Sequence, residues 1–173
     1  MSIHIIIDGY NLIRQSSSLS DLDRQDIQLG REALLETLAA YRRIKHHKIT
    51  VVFDGTNAPS FSRHENRVKG IRVKFSRKGE LADSVIKRMV SREREKALVV
   101  SSDMDVVNFV TTKGAATIRS SDFEEKIIMA AYMDIKGIDR EGDGGWIPTT
   151  KKKGPSKRLS KRKRRDRIKI RKL

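Results

Sequence analysis

Five aspartates in this chain stand where carboxylates can do chemistry. Asp8 follows the apolar run Ile3–Ile7, Asp54 follows Ile49–Phe53, and Asp103 and Asp105 follow Ala97–Val100 through Ser101 and Ser102. Asp83 opens a segment in which Leu81, Val85, Ile86, Met89 and Val90 repeat at helical spacing. Carboxylates gathered in one place repel one another, and hard cations such as Mg²⁺ or Mn²⁺, which take oxygen ligands, offset that repulsion. A cation so held clamps phosphate oxygens and lowers the pKa of water, the two requirements of phosphodiester hydrolysis. Each Asp also has a plain alternative, since Asp after a strand caps the next helix or makes an Asx turn. That alternative is weakest for Asp8, in Ile-Asp-Gly-Tyr-Asn, and for Asp103, in Ser-Ser-Asp-Met-Asp, where polar groups cluster directly after a buried run.

The elements that must position these residues alternate between short apolar runs and helical patterns, the sequence form of βαβ units and a parallel sheet. Strands are predicted at Ile3–Ile7, Ile49–Phe53, Ile71–Phe75, Ala97–Val100 and Ala115–Ile118. Helices are predicted over Asp26–Arg43, Glu80–Arg92, Asp105–Thr112 and Ser121–Met133, the last capped by Ser121 or Asp122. Thr56–Gly70 reads as a loop. The expected fold is therefore α/β, a three-layer α/β/α sandwich on a mostly parallel sheet of about five strands. In such sheets ligands bind outside the carboxyl ends of the strands, which is where Asp8, Asp54 and Asp103 fall, with Asp83 entering from the following helix.

Charge divides the chain of 173 residues. Residues 151–173 hold 14 Lys/Arg and one acid, so 13 of the 16 net positive charges lie there and the rest of the chain carries only +3. The expected organisation is an α/β domain over 1–135, a Gly-rich connector over 136–150 and a disordered basic tail over 151–173. A polybasic segment on a near-neutral body points to a polyanion, nucleic acid first and an anionic membrane surface second. Cysteine is absent, which excludes disulfide frameworks, Cys zinc sites and thiol nucleophiles. No apolar stretch reaches the roughly 18 residues that span a bilayer, so a soluble, cytoplasmic protein is expected.

Ile6-Ile7-Asp8-Gly9-Tyr10-Asn11, Val52-Phe53-Asp54-Gly55, Ala82-Asp83 and Val100-Ser101-Ser102-Asp103-Met104-Asp105 together resemble the NYN branch of the PIN-like nucleases, and within it the bacterial YacP-like group. The resemblance covers about residues 1–135. It implies a PIN-like fold and metal-dependent RNA cleavage, with some members acting as endoribonucleases at the ribosome. It further implies Asp8, Asp83, Asp103 and Asp105 as ligands of Mg²⁺ or Mn²⁺, and Asn11 as a residue positioning substrate or water.

Basic residues must offset such a site for RNA to approach. Arg63, Arg67, Lys69, Arg72, Lys74, Arg77 and Lys78 are expected to form the RNA-facing wall of the body, and Lys151, Lys152, Lys153, Lys161, Arg162, Lys163, Arg164 and Arg165 the RNA-binding part of the tail. Tyr10 and Phe61 are candidates for stacking on bases, though each is more often packing. His46 and His47 read as surface residues, and Trp146 has no assigned role. Two other function classes compete. Phe53-Asp54-Gly55-Thr56 resembles the strand end of aspartyl-phosphate phosphatases, but Thr56 stands where their second Asp belongs. A non-catalytic RNA- or ribosome-binding module is the stronger alternative, and the acidic cluster argues against it because such a module has no use for repelling carboxylates.

Overall fold

The apolar runs build one sheet. In the computed structural model, which describes residues 3–57, 65–136 and 160–173, the strands are β1 (His4–Asp8), β2 (Lys48–Phe53), β3 (Glu65–Val68), β4 (Ile71–Phe75), β5 (Ala97–Val100) and β6 (Ala116–Ile118). Their order is β3-β4-β2-β1-β5-β6. Every neighbouring pair is parallel except β3 with β4. The sheet thus has six strands rather than about five, and the extra one lies where the sequence pattern reads as a loop. β3 is an exposed edge strand without a buried face, so it leaves no apolar alternation to read. Cross-strand charge supports it instead, with Glu65 pairing to Arg72 at 3.2 Å and to Lys74 at 2.6 Å.

Helices cover both faces. Along β1 the side chains alternate. Ile5 and Ile7 join Leu34, Leu38, Tyr41 and Phe123 in one core, while Ile6 joins Val85, Ile86, Val106 and Val110 in the other. The first layer holds α1 (Gly9–Gln15), α2 (Ser17–Gln25), α3 (Ile27–Lys45) and α6 (Ser120–Ile135); the second holds α4 (Ala82–Glu93) and α5 (Met104–Thr112). This is the expected three-layer sandwich. α1 and α2 are additions to it. They are short, and their boundaries are made by polar caps, Ser16 accepting from the Leu19 amide and Asp26 from that of Gln28 at 2.6 Å. α6 begins at Ser120, ahead of the expected cap at Ser121 or Asp122, and has no side-chain cap because the residue in that position, Arg119, carries no acceptor; the Ser120 hydroxyl donates to Asn11.

The C-terminal segment departs from expectation. Lys161–Lys172 is a helix, α7, with Ser160 as its N-cap. Leu173 is buried in the α3–α6 core, Ile170 packs against it, and the Tyr41 hydroxyl donates to the Leu173 carbonyl at 3.0 Å. His47, expected at the surface, is buried and hydrogen-bonds the Lys172 carbonyl at 3.3 Å. His46 closes α3 in the left-handed conformation with φ 53°. Charge density argues for disorder, yet two apolar residues three apart suffice to hold a helix end when the body supplies a seat. Phe61, Arg63, Trp146 and Lys151, Lys152 and Lys153 lie outside the described residues, as does the connector beyond Lys136. Among the described residues no helix is long and apolar enough to cross a membrane.

Candidate active site

Parallel strands present their carboxyl ends on one edge, and two Asp-Gly pairs close that edge tightly. A Cβ on Gly9 would stand 2.3 Å from the Phe53 ring, and one on Gly55 would stand 1.9 Å from the Ser76 carbonyl oxygen. Only glycine permits these approaches. The edge opens into a cleft of about 380 Å³ whose lining includes Asp8, Asn11, Asp54, Asp83 and Asp103. Of the expected catalytic set, Asp8, Asn11, Asp83 and Asp103 are therefore brought together and Asp105 is not.

Asp8 is the deepest of them. It caps α1 by accepting the Asn11 amide at 3.2 Å, and the Ser101 hydroxyl approaches its other oxygen at 3.5 Å. Burial, with repulsion from Asp83 and Asp103, pushes its carboxyl up to about 6 against the hydrogen bond from Asn11. Asp83, half-buried in the first turn of α4, is also raised, by burial and then by Asp103. Asp103 is exposed and caps α5 through the amides of Asp105 at 2.7 Å and Val106 at 3.4 Å, while its own amide donates to the Ser101 hydroxyl at 3.2 Å. Ser101 thus links the Asp8 carboxylate to the Asp103 backbone.

Asn11 binds the site together. Its side-chain oxygen accepts from the Ser102 amide at 2.9 Å and the fully buried Ser120 hydroxyl at 2.7 Å. Those bonds fix the amide plane and leave its NH₂ without a hydrogen-bond partner among the described residues.

Asp105 lies outside the cleft lining. Its side chain is 77% exposed and pairs with Lys87. Asp54 lines the cleft but is held in an Asx turn by the Thr56 hydroxyl at 2.6 Å and amide at 2.9 Å, which keep its carboxyl below the usual range. Of the expected basic wall, the described residues Arg67, Lys69, Arg72, Lys74, Arg77 and Lys78 do not line the cleft. Lys69 pairs with Glu36, Arg72 and Lys74 with Glu65, and Arg67 lines a depression at the other end of the sheet.

Among the described residues one cation does line the cleft, and sequence reasoning missed it. Arg14 on α1 has its guanidinium 5.9 Å from the Tyr10 ring centroid and forms no ion pair among the described residues. Its position six residues past Asp8, nearly two helical turns along, was the available signal. Tyr10, a stacking candidate, is buried: its ring tilts against Phe53 at 5.1 Å and its hydroxyl accepts from Arg31 Nε at 2.9 Å.

Among the described residues, no three acidic or histidine side chains are close enough to surround a metal ion by themselves. The donor set nonetheless suits Mg²⁺, which keeps several waters and takes one or two carboxylates. A buried carboxylate raised by two neighbours is the kind of ligand such a cation relieves.

Comparison with known proteins agrees with this geometry. The profile of the "YacP-like NYN domain" matches residues 5–172, and so includes the basic helix α7. The "Uncharacterized protein YacP" of Bacillus subtilis (strain 168) is 26% identical over 85 residues, 49% of this chain and 49% of that protein, so the match spans about half the length of that relative. The crystal structure of Rae1 (YacP) from Bacillus subtilis aligns with a TM-score of 0.67 at 21% identity, covering 80% of each chain. A tryptophan-to-leucine mutant of the same Bacillus protein aligns with a TM-score of 0.65 at 20% identity, covering 78% of this chain and 80% of that one. With the profile running almost end to end and the fold shared, the chain belongs to the YacP-like NYN domain family, a family of nuclease-like proteins.

Proposed function

We propose that the protein is a metal-dependent endoribonuclease that hydrolyses RNA phosphodiester bonds in the Asp8–Asp83–Asp103 cleft. The observation that carries this reading is the placement of Asp8, buried at the end of β1 with Asp83 and Asp103 lining the same solvent-open cleft. Asp8 and Asp83 or Asp103 would hold Mg²⁺ or Mn²⁺. Such a cation supplies charge to the attacked phosphate and makes water acidic enough to be a nucleophile at neutral pH.

The chain's own residues do the positioning. Ser101 orients Asp8 against Asp103, Asn11 holds the β5–α5 loop and the start of α6 at fixed distance from Asp8, and Arg14 receives a backbone phosphate beside the scissile one. Asp105 keeps Lys87 near Asp83, where that cation limits the upward shift of the carboxyl. By the family resemblance, RNA carried on the ribosome belongs to the substrate class, and α7 with the residues before it adds phosphate contacts.

A non-catalytic RNA-binding module is the second reading, favoured by the lack of a three-group ion shell among the described residues. Incubating single-stranded RNA with the wild-type chain in Mn²⁺, Mg²⁺ or EDTA, beside Asp8→Asn, separates the two. Cleavage that needs the metal and Asp8 supports the nuclease. Intact RNA in every lane, with binding retained, supports the module. End-mapping of cellular RNAs after induction of wild type and Asp8→Asn then identifies the substrate.

A further inference from the structure

We propose that the end of the sheet opposite the carboxylate cleft is a second RNA site, which grips the phosphate backbone of double-helical RNA. β1 runs from His4 to Asp8, so the two ends are roughly 13 Å of strand apart. Cations collect at the His4 end. A groove of about 980 Å³ lies between α7 and the turn after α4, lined from the body by Lys48, Arg92, Arg94 and Lys96. Beyond Lys48 a second depression, of about 240 Å³, is lined by Arg42, Arg67 and Arg72, the last paired with Glu65, and among the described residues no acid lines it. The acids of the groove are already engaged: Glu93 with His4, Glu95 with Arg165, and Asp166 with Arg162 at 4.0 Å. Helix α7 itself carries nine Lys/Arg and one acid over 161–172, and its seating on Tyr41 and His47 makes that charge part of a rigid face.

The backbone at Arg94 is an independent sign. Its φ of 47° with ψ −121° lies outside the regions open to residues with a side chain, including the left-handed helical one. Glycine would adopt this conformation freely. The chain instead holds a strained arginine there, in the groove, and strain retained in this way marks functional positions. Among the described residues no Phe, Tyr or Trp lines either depression, so these residues offer unpaired bases no broad stacking platform. What the face offers is point charge spread over a broad surface, which suits the phosphates of an A-form helix.

This inference rests on RNA being the ligand, as proposed above, and is independent of cleavage. Its consequence is a division of labour, with a helical segment held at one end of the sheet while an unpaired segment of the same RNA reaches the cleft at the other.

Arg94→Gly tests it, because that substitution removes the cation while relieving the backbone. With the full chain, binding of a labelled RNA hairpin with a stem of about 16 base pairs is measured over a salt series. Arg94→Gly is expected to melt at the wild-type temperature or above it. It binds the hairpin about threefold to tenfold more weakly, with a log–log salt slope shallower by about 0.9. A double Arg92→Gln, Lys96→Gln variant gives a larger loss, and both variants cleave short unstructured RNA as wild type does. Unchanged hairpin affinity and slope in both variants would overturn the proposal, as would a wild-type chain that binds the hairpin no better than a short single strand. If the wild type binds the hairpin in this Arg94-dependent way yet cleaves no RNA with either metal, the catalytic reading fails and the second site stands.

Discussion

Asn11 and Ser102 are 91 positions apart, and the amide of Ser102 donates to the Asn11 side-chain oxygen at 2.9 Å. The bond joins the helix that leaves β1 to the loop that leaves β5, so a side-chain amide braces the spacing of Asp8 and Asp103 that the β1–β5 pairing establishes. The same oxygen takes the Ser120 hydroxyl.

Removing that oxygen strands two donors, one of them on a fully buried serine. Asn11→Ala is therefore expected to cost about 1–3 kcal/mol of stability and to abolish cleavage. Asn11→Asp keeps the acceptor and recovers part of the stability, but adds a further carboxylate beside Asp8. Thermal denaturation and cleavage assays on both variants check this; an Asn11→Ala protein as stable as wild type would refute the bracing role.

The sign of the Asp8 titration gives a pH prediction for the metal-free protein. Its folded carboxyl sits at about 6, above the ordinary aspartate value of 3.8, so the folded state holds this proton more tightly than the unfolded one. The resulting stability is fully present below about pH 4 and is lost as pH rises through 6. Above that, ionised Asp8 costs on the order of 3 kcal/mol. Asp8→Asn should raise the melting temperature at pH 8 and lose that advantage toward pH 4. Added Mn²⁺ or Mg²⁺ should stabilise wild type at neutral pH and leave Asp8→Asn unmoved. Equal metal responses in the two proteins would remove Asp8 from the metal site.

Arg14 stands over the Tyr10 ring in the cleft that Asp8, Asp54, Asp83 and Asp103 also line. Hydrogen bonds to charged groups contribute about 1.5–3 kcal/mol. Arg14→Gln is accordingly expected to raise KM for a short RNA roughly tenfold to a hundredfold with kcat nearly kept, and Arg14→Lys to restore part of it. A fall in kcat at constant KM would place Arg14 at the reacting phosphate instead of beside it.

α7 is structural as well as basic. Tyr41→Phe removes the hydroxyl that holds the Leu173 carbonyl, at a cost of about 1 kcal/mol, and Leu173→Ala opens a buried site at a cost of about 2–3 kcal/mol. Deleting 160–173 uncovers His47 and lowers the melting temperature further. A truncated chain melting with the full-length protein would mean that the helix contributes nothing to the body.

The local pattern of the chain was enough to place the strands, the two helical layers and the edge that carries Asp8, Asp54, Asp83 and Asp103. This works because a run buried in a parallel sheet is apolar throughout, and the residue that ends it necessarily emerges at the carboxyl edge. The motifs around Asp8 and Asp103 pointed to the family for the same reason, since every residue in them lies within a few positions of a strand end. What lay beyond reach depended on partners distant in sequence. β3 has no buried face and is held by charges on the neighbouring strand. Asp105 turns to Lys87 on another helix. His47 is covered by a segment 125 residues away, and Leu173 finds its seat on Tyr41, 132 residues earlier. Composition pointed to a disordered tail; only the tertiary structure decided that residues 161–173 are ordered against the body, because the two apolar contacts that hold them exist only once α3 and α6 have been packed together.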